Sequence, residues 1–415
     1  MVDVMKSVLV VGFNTRPLVY SLKNAGYLVY AVDFFGDLDL IPFVEDSFIL
    51  TKELRTDYDS IKTSYGILLY EFTVKMLRKY SHINYLIIGS GLDDAIKERL
   101  SILNEIKEKN YTIIPLNNDV KTIKKARNIE EIYNYLKSHG FNSPFTIPYN
   151  NFKSFTDQLQ SPVIFKKFRS SGGINVFKIN SYEELVNLVS KSDLKDFNPK
   201  DWVIQEFIEG IPISCTIISN GKECEILSIN RQIIGDEHLN SPKRFMYCGN
   251  IVPIDLPKKT EKLIIEISIR LTKELRLKGV NGFDYVLKDN YPYLMEINPR
   301  IPGSVRATEL SFGLNLLDLH IKSFDLRNWS RLQKTIKSKK FNGYSTKLIL
   351  FAPKEIDKES ISKINQLKYV HDKSEPHKNI LKGDPLCTIL YLGKSQQESH
   401  TGALNVVDKI NRIID

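Results

Sequence analysis

The sequence predicts a multidomain protein of the α/β and α+β classes, on three observations. Its 415 residues exceed what one hydrophobic core usually organises, so two or three domains are expected. Residues 7–33 read as strand, helix and strand, the order of a parallel βαβ unit. Residues 279–304 read as a β-hairpin, the unit of an antiparallel sheet. Two kinds of sheet indicate separate units along one chain.

The composition excludes several classes of protein. Apolar residues make up 42% of the chain, and no apolar run approaches the roughly 20 residues of a membrane span. The N-terminus lacks a signal-peptide pattern, so we expect a soluble cytoplasmic protein. The four cysteines lack metal-ligand spacing and are expected to be reduced and without a catalytic role. They are Cys215, Cys224, Cys248 and Cys387.

The charge balance favours small anionic substrates. The chain has 58 Lys and Arg against 49 Asp and Glu, a formal net charge of +9. The excess is spread along the chain and forms no aromatic-rich basic stripe, which disfavours nucleic acid. A positive field attracts anions such as nucleotides.

The first unit, residues 1–118, reads as a Rossmann-like domain. The loop after the first strand has one glycine where a dinucleotide fingerprint needs three, so NAD binding is disfavoured. Arg16 and residues 89–94 follow strands, at the sheet edge where open α/β sheets bind ligands. Arg16 is therefore a candidate for an anionic part of a substrate, and the alternative is a residue that caps a helix or lies in solvent.

Helical patterns follow in two further places. A Lys-rich helix is predicted from Asn118 to Gly140, where glycine and then Pro144 end it. Another is predicted from Ser304 to about Phe324. His320 on that helix has no partner four residues away, so a packed or solvated histidine is favoured over a metal ligand.

The hairpin carries the most informative polar residues. Apolar runs at 283–287 and 293–297 flank a turn, which places Asp284 on one strand and Glu296 and Asn298 on the other. Positions two apart share one face of a strand, so these side chains can converge. Two carboxylates and an amide oxygen suit Mg²⁺, and Arg300 can reach an oxyanion beside it. The alternative is an ordinary solvated hairpin.

Two upstream stretches suit phosphate and adenine. Residues 161–177 form a strand that ends in Lys166 and Lys167, followed by the small polar loop 170–173. Backbone N–H groups in such a loop can close around phosphate, although an isolated Gly-Gly loop is more often a hairpin turn. Residues 202–210 form a strand that turns into Gln205-Glu206-Phe207-Ile208, which can offer backbone groups and apolar walls to adenine.

Together these stretches resemble the ATP-grasp superfamily. The Phe-Asp strand followed by Leu-Met-Glu-Ile-Asn-Pro-Arg resembles its metal-binding end. Gln-Glu-Phe-Ile-Glu-Gly-Ile-Pro-Ile-Ser, Arg-Gln-Ile-Ile-Gly and Tyr-Cys-Gly-Asn-Ile-Val-Pro occur in order at plausible spacing. The whole chain is similar to a branch of predicted ATP-dependent carboligases related to biotin carboxylase. The resemblance implies three parts: the Rossmann-like domain, a two-lobed ATP-grasp domain at 119–335 divided near 205, and a small C-terminal β-rich, biotin-carboxylase-like domain at 336–415.

The resemblance also implies roles for single residues. Asp284, Glu296 and Asn298 match the Mg²⁺ ligands, with Mn²⁺ as an alternative ion, and Arg300 and Arg231 match positions that face the reaction. One of Lys121, Lys124, Lys125 and Arg127 reaches ATP. Pro212 stands where many relatives carry a ribose-binding Glu, and Glu209 is the substitute. The positions that match the ATP site are Lys166, Ser170, Ser171, Gly172, Gly173, Gln205, Glu206, Phe207, Ile208, Glu209 and Met295.

The function that this resemblance implies is ligation. ATP would activate a carboxylate as an acyl phosphate, and an amine or a thiol would displace phosphate. The alternatives are biotin-carboxylase-like carboxylation, disfavoured because residues 231–232 lack the Lys and Glu cluster of that enzyme, and a nucleotide-binding regulator without turnover. We expect small carboxylic acid and amine substrates and no nucleic-acid or membrane partner, and a homodimer stays open.

Overall fold

The computed structural model describes residues 5–55, 61, 64–150, 162–168, 172–190, 194, 197–376 and 380–415. Three β-sheets organise this part of the chain, one parallel and two antiparallel, which confirms the mixed α/β and α+β class. In the described part, no helix combines the length and apolar character that crossing a membrane requires.

The N-terminal sheet is parallel and five-stranded, in the order β3-β2-β1-β4-β5. All six side chains of β1 are buried, as expected of a parallel strand covered on both faces. The strands are β1 (Ser7–Gly12), β2 (Leu28–Asp33), β3 (Asp46–Ile49), β4 (Tyr85–Ile88) and β5 (Ile114–Pro115). The helices are α1 (Arg16–Asn24), α2 (Leu50–Glu53), α3 (Tyr65–Lys79) and α4 (Ile96–Glu108).

The segment predicted as one helix from Asn118 to Gly140 forms two, α5 (Val120–Ala126) and α6 (Ile129–Ser138). Asn128 caps α6 by accepting a hydrogen bond from the backbone of Glu131, and its amide donates to the Glu131 carboxylate at 2.6 Å. This reciprocal cap starts a new helix and leaves Arg127 at the corner. The single-helix prediction is therefore wrong at this position.

A second sheet has four antiparallel strands in the order β6-β9-β7-β8. Phe165 and Trp202 stack at 4.4 Å between ring centroids and anchor its core. The elements are β6 (Thr146–Pro148), β7 (Val163–Lys167), β8 (Val176–Ile179), α7 (Tyr182–Ser190) and β9 (Trp202–Glu206).

The third sheet has eight antiparallel strands in the order β14-β13-β10-β11-β12-β15-β17-β16. The strands before the proposed boundary at 335 are β10 (Ile211–Asn220), β11 (Cys224–Ile234), β12 (Tyr247–Val252), β13 (Lys278–Lys288) and β14 (Tyr291–Asn298). Those after it are β15 (Tyr344–Phe351), β16 (Val370–His371) and β17 (Pro385–Gly393). One sheet thus runs across the proposed boundary through the β12–β15 pair.

The helices that follow β9 along the chain are α8 (Lys258–Glu274), α9 (Val305–Phe312), α10 (Leu316–Ser323), α11 (Trp329–Lys337), α12 (Lys358–Asn365) and α13 (Gln396–Ile414). The predicted helix from Ser304 to Phe324 is two helices, because Gly313 adopts a positive φ of 60° and Asn315 caps α10. His320 on α10 is buried and bonded on both ring nitrogens, to the backbone of Val280 at 3.0 Å and of Leu116 at 2.8 Å. It is a packed histidine, as favoured from the sequence.

One hydrophobic core joins the N-terminal sheet to the rest. Side chains of β1, α1 and β2 pack together with side chains of α10 and α11, among them Val8, Leu22, Leu316 and Trp329. This shared core fixes the carboxyl ends of β1, β2 and β4 toward the large antiparallel sheet.

Candidate active site

A cleft of about 1340 Å³ lies where the three sheets meet. Its walls come from the loops after β1, β2 and β4, from β7 and β9, from β10 to β14, and from β15, β17 and the segment after β16. Small-molecule pockets usually measure about 300–1,000 Å³. The volume therefore leaves room for a further substrate beside a nucleotide.

The hairpin β13–β14 brings the three predicted oxygen ligands together on the cleft wall. Asp284 lies directly opposite Glu296, and Gly282 lies opposite Asn298, in the register that the sequence allowed. Asp289 and Asn290 form the turn with φ of 51° and 63°, and Pro292 already belongs to β14. All three ligand candidates line the cleft.

Hydrogen bonds orient this trio. The Asn298 amide donates to Asp284 Oδ2 at 2.7 Å, and Gln232 on β11 donates to Asp284 Oδ1 at 2.9 Å. Burial, with the nearby Glu296 carboxylate, raises the pKa of Asp284 to about 7. Burial also raises the pKa of Glu296, although Arg127, Lys166 and Arg300 oppose the shift.

The trio fits a hard divalent cation. Two carboxylates face each other across one strand pair, and because Asn298 uses its NH₂ group on Asp284, its carbonyl oxygen can serve as a third ligand. Oxygen donors of this kind are the ligands that Mg²⁺ prefers, and Mn²⁺ accepts them as well. The arrangement also explains the hydrogen bond from Gln232, which steadies a carboxylate beside a like charge.

Two arginines stand beside the trio. Arg127 donates to Glu296 at 3.0 Å and to Asp94 at 2.8 Å, and its side chain is 4% exposed. Arg300, next along the chain from the hairpin, pairs with Asp93 at 2.5 Å. Burial would lower the pKa of Arg300, but Asp93 and Glu296 raise it overall, so its charge is retained.

Only one of the four basic residues that the sequence offered for a contact with ATP lies at the cleft. Arg127 lines the cleft, whereas Lys121, Lys124 and Lys125 are exposed on α5 and lie outside its lining. Sequence reasoning did not single out Arg127 because it assumed an unbroken helix. The signal was present in Asn128 followed by Glu131, the spacing of a capping box.

Lys166 projects into the cleft from β7. It shares a strand face with Ile164, which also lines the cleft, while Phe165 between them packs in the core. Burial lowers the pKa of Lys166 to about 8, and Glu296 opposes that shift. Lys167 also borders the cleft.

Part of the small loop after β7 borders the same space. Gly172 and Gly173 line the cleft with φ of 70° and 77°. A Cβ at Gly173 would lie 1.8 Å from the Phe245 carbonyl oxygen, so the close approach of these two backbones requires glycine there. Ser170 and Ser171 lie outside the described residues.

The end of β9, which was expected to contact adenine, forms another part of the cleft wall. Gln205, Glu206, Phe207, Ile208 and Met295 all line the cleft. The Gln205 side chain donates to the hydroxyl groups of Tyr133 and Thr146, and Glu206 accepts from the backbone of Phe145 at 3.2 Å. These side chains are engaged with protein, which leaves the backbone and the apolar walls for a planar ring.

Three sequence-based candidates do not reach the cleft. Arg231 is exposed on the opposite face of β11, because side chains alternate along a strand and Gln232 takes the inward position. Glu209 is exposed outside the lining. Arg16 is 5% exposed and paired with Asp372 at 2.7 Å and Asp39 at 3.6 Å, which occupies its charge within the protein.

Comparison with known proteins identifies the central part of the chain. A family profile described as an ATP-grasp domain matches residues 126–304, the span that contains the cleft side chains from Arg127 to Arg300. Residues 126–304 match the ATP-grasp family. This confirms the resemblance that the hairpin and the strand at 202–210 suggested.

Relatives of the chain include two proteins of Methanocaldococcus jannaschii. An uncharacterised protein is 28% identical over 392 residues, which cover 92% of this chain and 87% of the relative. A tyramine–L-glutamate ligase is 27% identical over 272 residues, covering 65% of this chain and 71% of the relative.

Solved structures share the fold of the chain over nearly its whole length. An L-amino acid ligase from Bacillus licheniformis has a TM-score of 0.69 at 18% identity and covers 97% of both chains. A biotin carboxylase from Campylobacter jejuni has a TM-score of 0.68 at 14% identity, covering 96% of this chain and 90% of the other. At these identities the likeness concerns the fold.

Proposed function

We propose that the protein is an ATP-dependent ligase that activates a carboxylate as an acyl phosphate and joins it to an amine, with a thiol as the other possible nucleophile. The observation that carries the proposal is the convergence of Asp284, Glu296 and Asn298 with Lys166, Arg127 and Arg300 in one cleft. ADP and phosphate would be the other products.

Each group has a defined task in this proposal. Lys166 supplies a positive charge to phosphate oxygens, and Arg300 stabilises the oxyanion formed when the nucleophile attacks. Asp284, Glu296 and Asn298 would hold Mg²⁺, which when bound supplies neutralisation of phosphate charge. The backbone of Glu206 to Ile208 and the Met295 side chain would enclose adenine.

No covalent enzyme intermediate is needed for such a reaction. Positioning and electrostatic stabilisation account for phosphoryl transfer. Two cysteines line the cleft, but burial raises the pKa of Cys215 to about 12 and also raises that of Cys387. Neither thiol is activated as a nucleophile.

The end of the cleft nearest β2 suits the amine. Asp37 lines it, and Oδ2 of Asp37 is buried without a hydrogen-bond partner among the described residues. Burial and the carboxylates of Asp372, Asp33 and Asp39 raise the pKa of Asp37, and Arg16 opposes them. This acidic surrounding favours a cationic amine over a second anion. From the sequence, an anionic part of a substrate was expected beside Arg16. In this proposal the amine binds at this end of the cleft instead.

The named relatives support the reaction class. Tyramine–L-glutamate ligase and L-amino acid ligase are both named as ligases of amino compounds. Their names extend only to those proteins, so the acid and the amine of this chain have to be found by experiment.

A substrate matrix tests the proposal. Purified protein, ATP and Mg²⁺ are incubated with pairs drawn from amino acids, dicarboxylic acids and amines, and phosphate release is followed. We expect release that requires both members of one pair and a product whose mass equals acid plus amine minus water. Glu296→Gln serves as the inactive control. ATP-dependent carboxylation of biotin with bicarbonate, or nucleotide binding without turnover for any pair, would contradict the proposal.

A further inference from the structure

The loop between β4 and α4 holds both active-site arginines, each through a separate carboxylate. We propose that Asp93 positions Arg300 for the chemical step and that Asp94 positions Arg127 for nucleotide binding. This inference rests on the function proposed above. It assigns to the N-terminal domain a role within the reaction site.

Asp93 is shared between two guanidinium groups. Its Oδ2 accepts from Nε of Arg300 at 2.5 Å, and its side chain is 5% exposed. Arg99, at 1% exposure, interacts with the charge of Asp93: burial lowers the pKa of Arg99, Asp93 opposes that shift, and Arg300 adds to it. Both terminal nitrogens of Arg99 and Oδ1 of Asp93 lack hydrogen-bond partners in the described part of the chain. One carboxylate therefore orients Arg300 through a direct ion pair and partly offsets the charge of the buried Arg99.

Asp94 has a different position. It accepts from Nη2 of Arg127 at 2.8 Å, while Nη1 of the same guanidinium donates to Glu296 at 3.0 Å. Glu296 would help to hold a divalent cation, and a carboxylate shared with a cation would hold Arg127 less strongly. Asp94 is then the carboxylate that keeps Arg127 at the nucleotide.

The packing of this loop on the β1 loop holds the two carboxylates in fixed positions. Gly91 has a φ of 111°, and a Cβ there would lie 2.9 Å from the ring of Phe13, so the loop packs tightly on the β1 loop. The Phe13 backbone also donates to the Ser90 carbonyl at 3.0 Å. Adjacent residues of this short loop consequently point to arginines on two different elements.

Removing the two carboxylates should therefore affect different parameters, kcat for Asp93 and the Kd of the nucleotide for Asp94. Asp93→Asn should lower kcat roughly ten- to hundred-fold, the value of a charged hydrogen bond, and change the Kd for Mg²⁺ and a non-hydrolysable ATP analogue by less than about two-fold. Asp94→Asn should raise that Kd roughly ten-fold and change kcat by less than about three-fold. Asp94→Glu should restore most of the binding.

The test combines calorimetric binding of the analogue with steady-state kinetics. Asp46→Asn, which removes an N-terminal-domain carboxylate paired with Lys79 away from the cleft, is the matched control and should change neither value. Thermal unfolding checks that the variants fold. If Asp93→Asn does not fold, Asp93→Glu replaces it; this variant keeps the charge and should lower kcat alone.

Parallel changes of kcat and Kd in both variants, as expected of a loop with only a structural role, would overturn the inference. Wild-type kinetics in both variants would overturn it as well. A wild-type protein that binds the analogue and turns over no substrate pair contradicts the proposed function instead. The Asp94 prediction is then still decided by binding.

Discussion

At the residue scale, the central feature is a set of like charges held close together by opposite ones. Asp284 and Glu296 face each other, and Arg127, Arg300 and Lys166 surround them. The two-residue spacing of Glu296 and Asn298 predicted their common face. The sequence could not predict that Gln232 supports Asp284 or that Arg127 reaches Glu296, because both contacts join residues far apart in the chain.

Removing one ligand charge tests the metal assignment. Glu296→Gln keeps the side-chain volume but removes a carboxylate from the trio, so Mg²⁺-dependent turnover should fall by at least about 100-fold while the fold is retained. Phosphate release and circular dichroism measure the two effects. Turnover equal to the wild type at saturating Mg²⁺ would remove Glu296 from the metal site.

His320 gives a pH dependence that is independent of the active site. Its burial lowers the pKa from 6.5 to about 4, so the unfolded state takes up a proton first as the pH falls. The contribution of neutral His320 to the free energy of unfolding is complete above pH 6.5 and is lost as the pH falls toward 4. The total loss is on the order of 3 kcal/mol.

Urea unfolding between pH 4.5 and 7.5 measures this effect. His320→Asn should be less stable at pH 7.5, and its stability should fall less steeply with acid than that of the wild type. Identical slopes for the two proteins would contradict the assignment, since all other titrating groups are common to both.

At the scale of elements, strands were predicted well and helix breaks poorly. Ser7–Gly12 and Leu28–Asp33 are the two strands that residues 7–33 indicated. The two long helical patterns each broke at a cap, Asn128 and Asn315, because a local side-chain hydrogen bond outweighed the helical periodicity. The first break matters most, since it turns Arg127 into the cleft.

The loop after β7 gives a prediction about ordering. Residues 170–173 are small and polar and should gain protection from hydrogen exchange when an ATP analogue with Mg²⁺ binds. Gly173→Ala, which forces a Cβ against the Phe245 carbonyl, should weaken analogue binding, whereas Gly26→Ala has open space at a similarly positive φ and serves as the control. Equal exchange with and without analogue would contradict a phosphate-covering role.

At the scale of the whole molecule, the sequence indicated three parts but not how they join. The eight-stranded sheet continues through β12 and β15 across the proposed boundary at 335, and Arg16 pairs with Asp372 across the chain. A pairing between residues this far apart leaves no periodic signal in either segment. Because the sequence around Arg16 does not reveal its partner Asp372, Arg16 was interpreted as a candidate substrate ligand.

The Arg16 pair should contribute to stability and not to nucleotide binding. Burial opposes the charge of Asp372, but Arg16 and Lys347 lower its pKa to about 2, so the pair is ionised. Arg16→Ala leaves that carboxylate without its closest cation and should cost about 3–5 kcal/mol of unfolding free energy. The KM for ATP should stay within about two-fold.

A double-mutant cycle with Asp372→Asn separates this contribution from other effects of each substitution. The coupling energy should account for most of the loss caused by Arg16→Ala. A loss below about 1 kcal/mol, or a large rise in the KM for one substrate, would return Arg16 to the site.

Trapping the activated acid tests the central claim most directly. Hydroxylamine converts an acyl phosphate to a hydroxamate, so the protein, ATP, Mg²⁺ and the correct acid should yield hydroxamate without any amine substrate. The yield should equal the ADP formed and should be abolished by Glu296→Gln. ADP formation that requires the acid but gives no hydroxamate, with the amide product still formed when the amine is added, would contradict an acyl phosphate intermediate in this cleft.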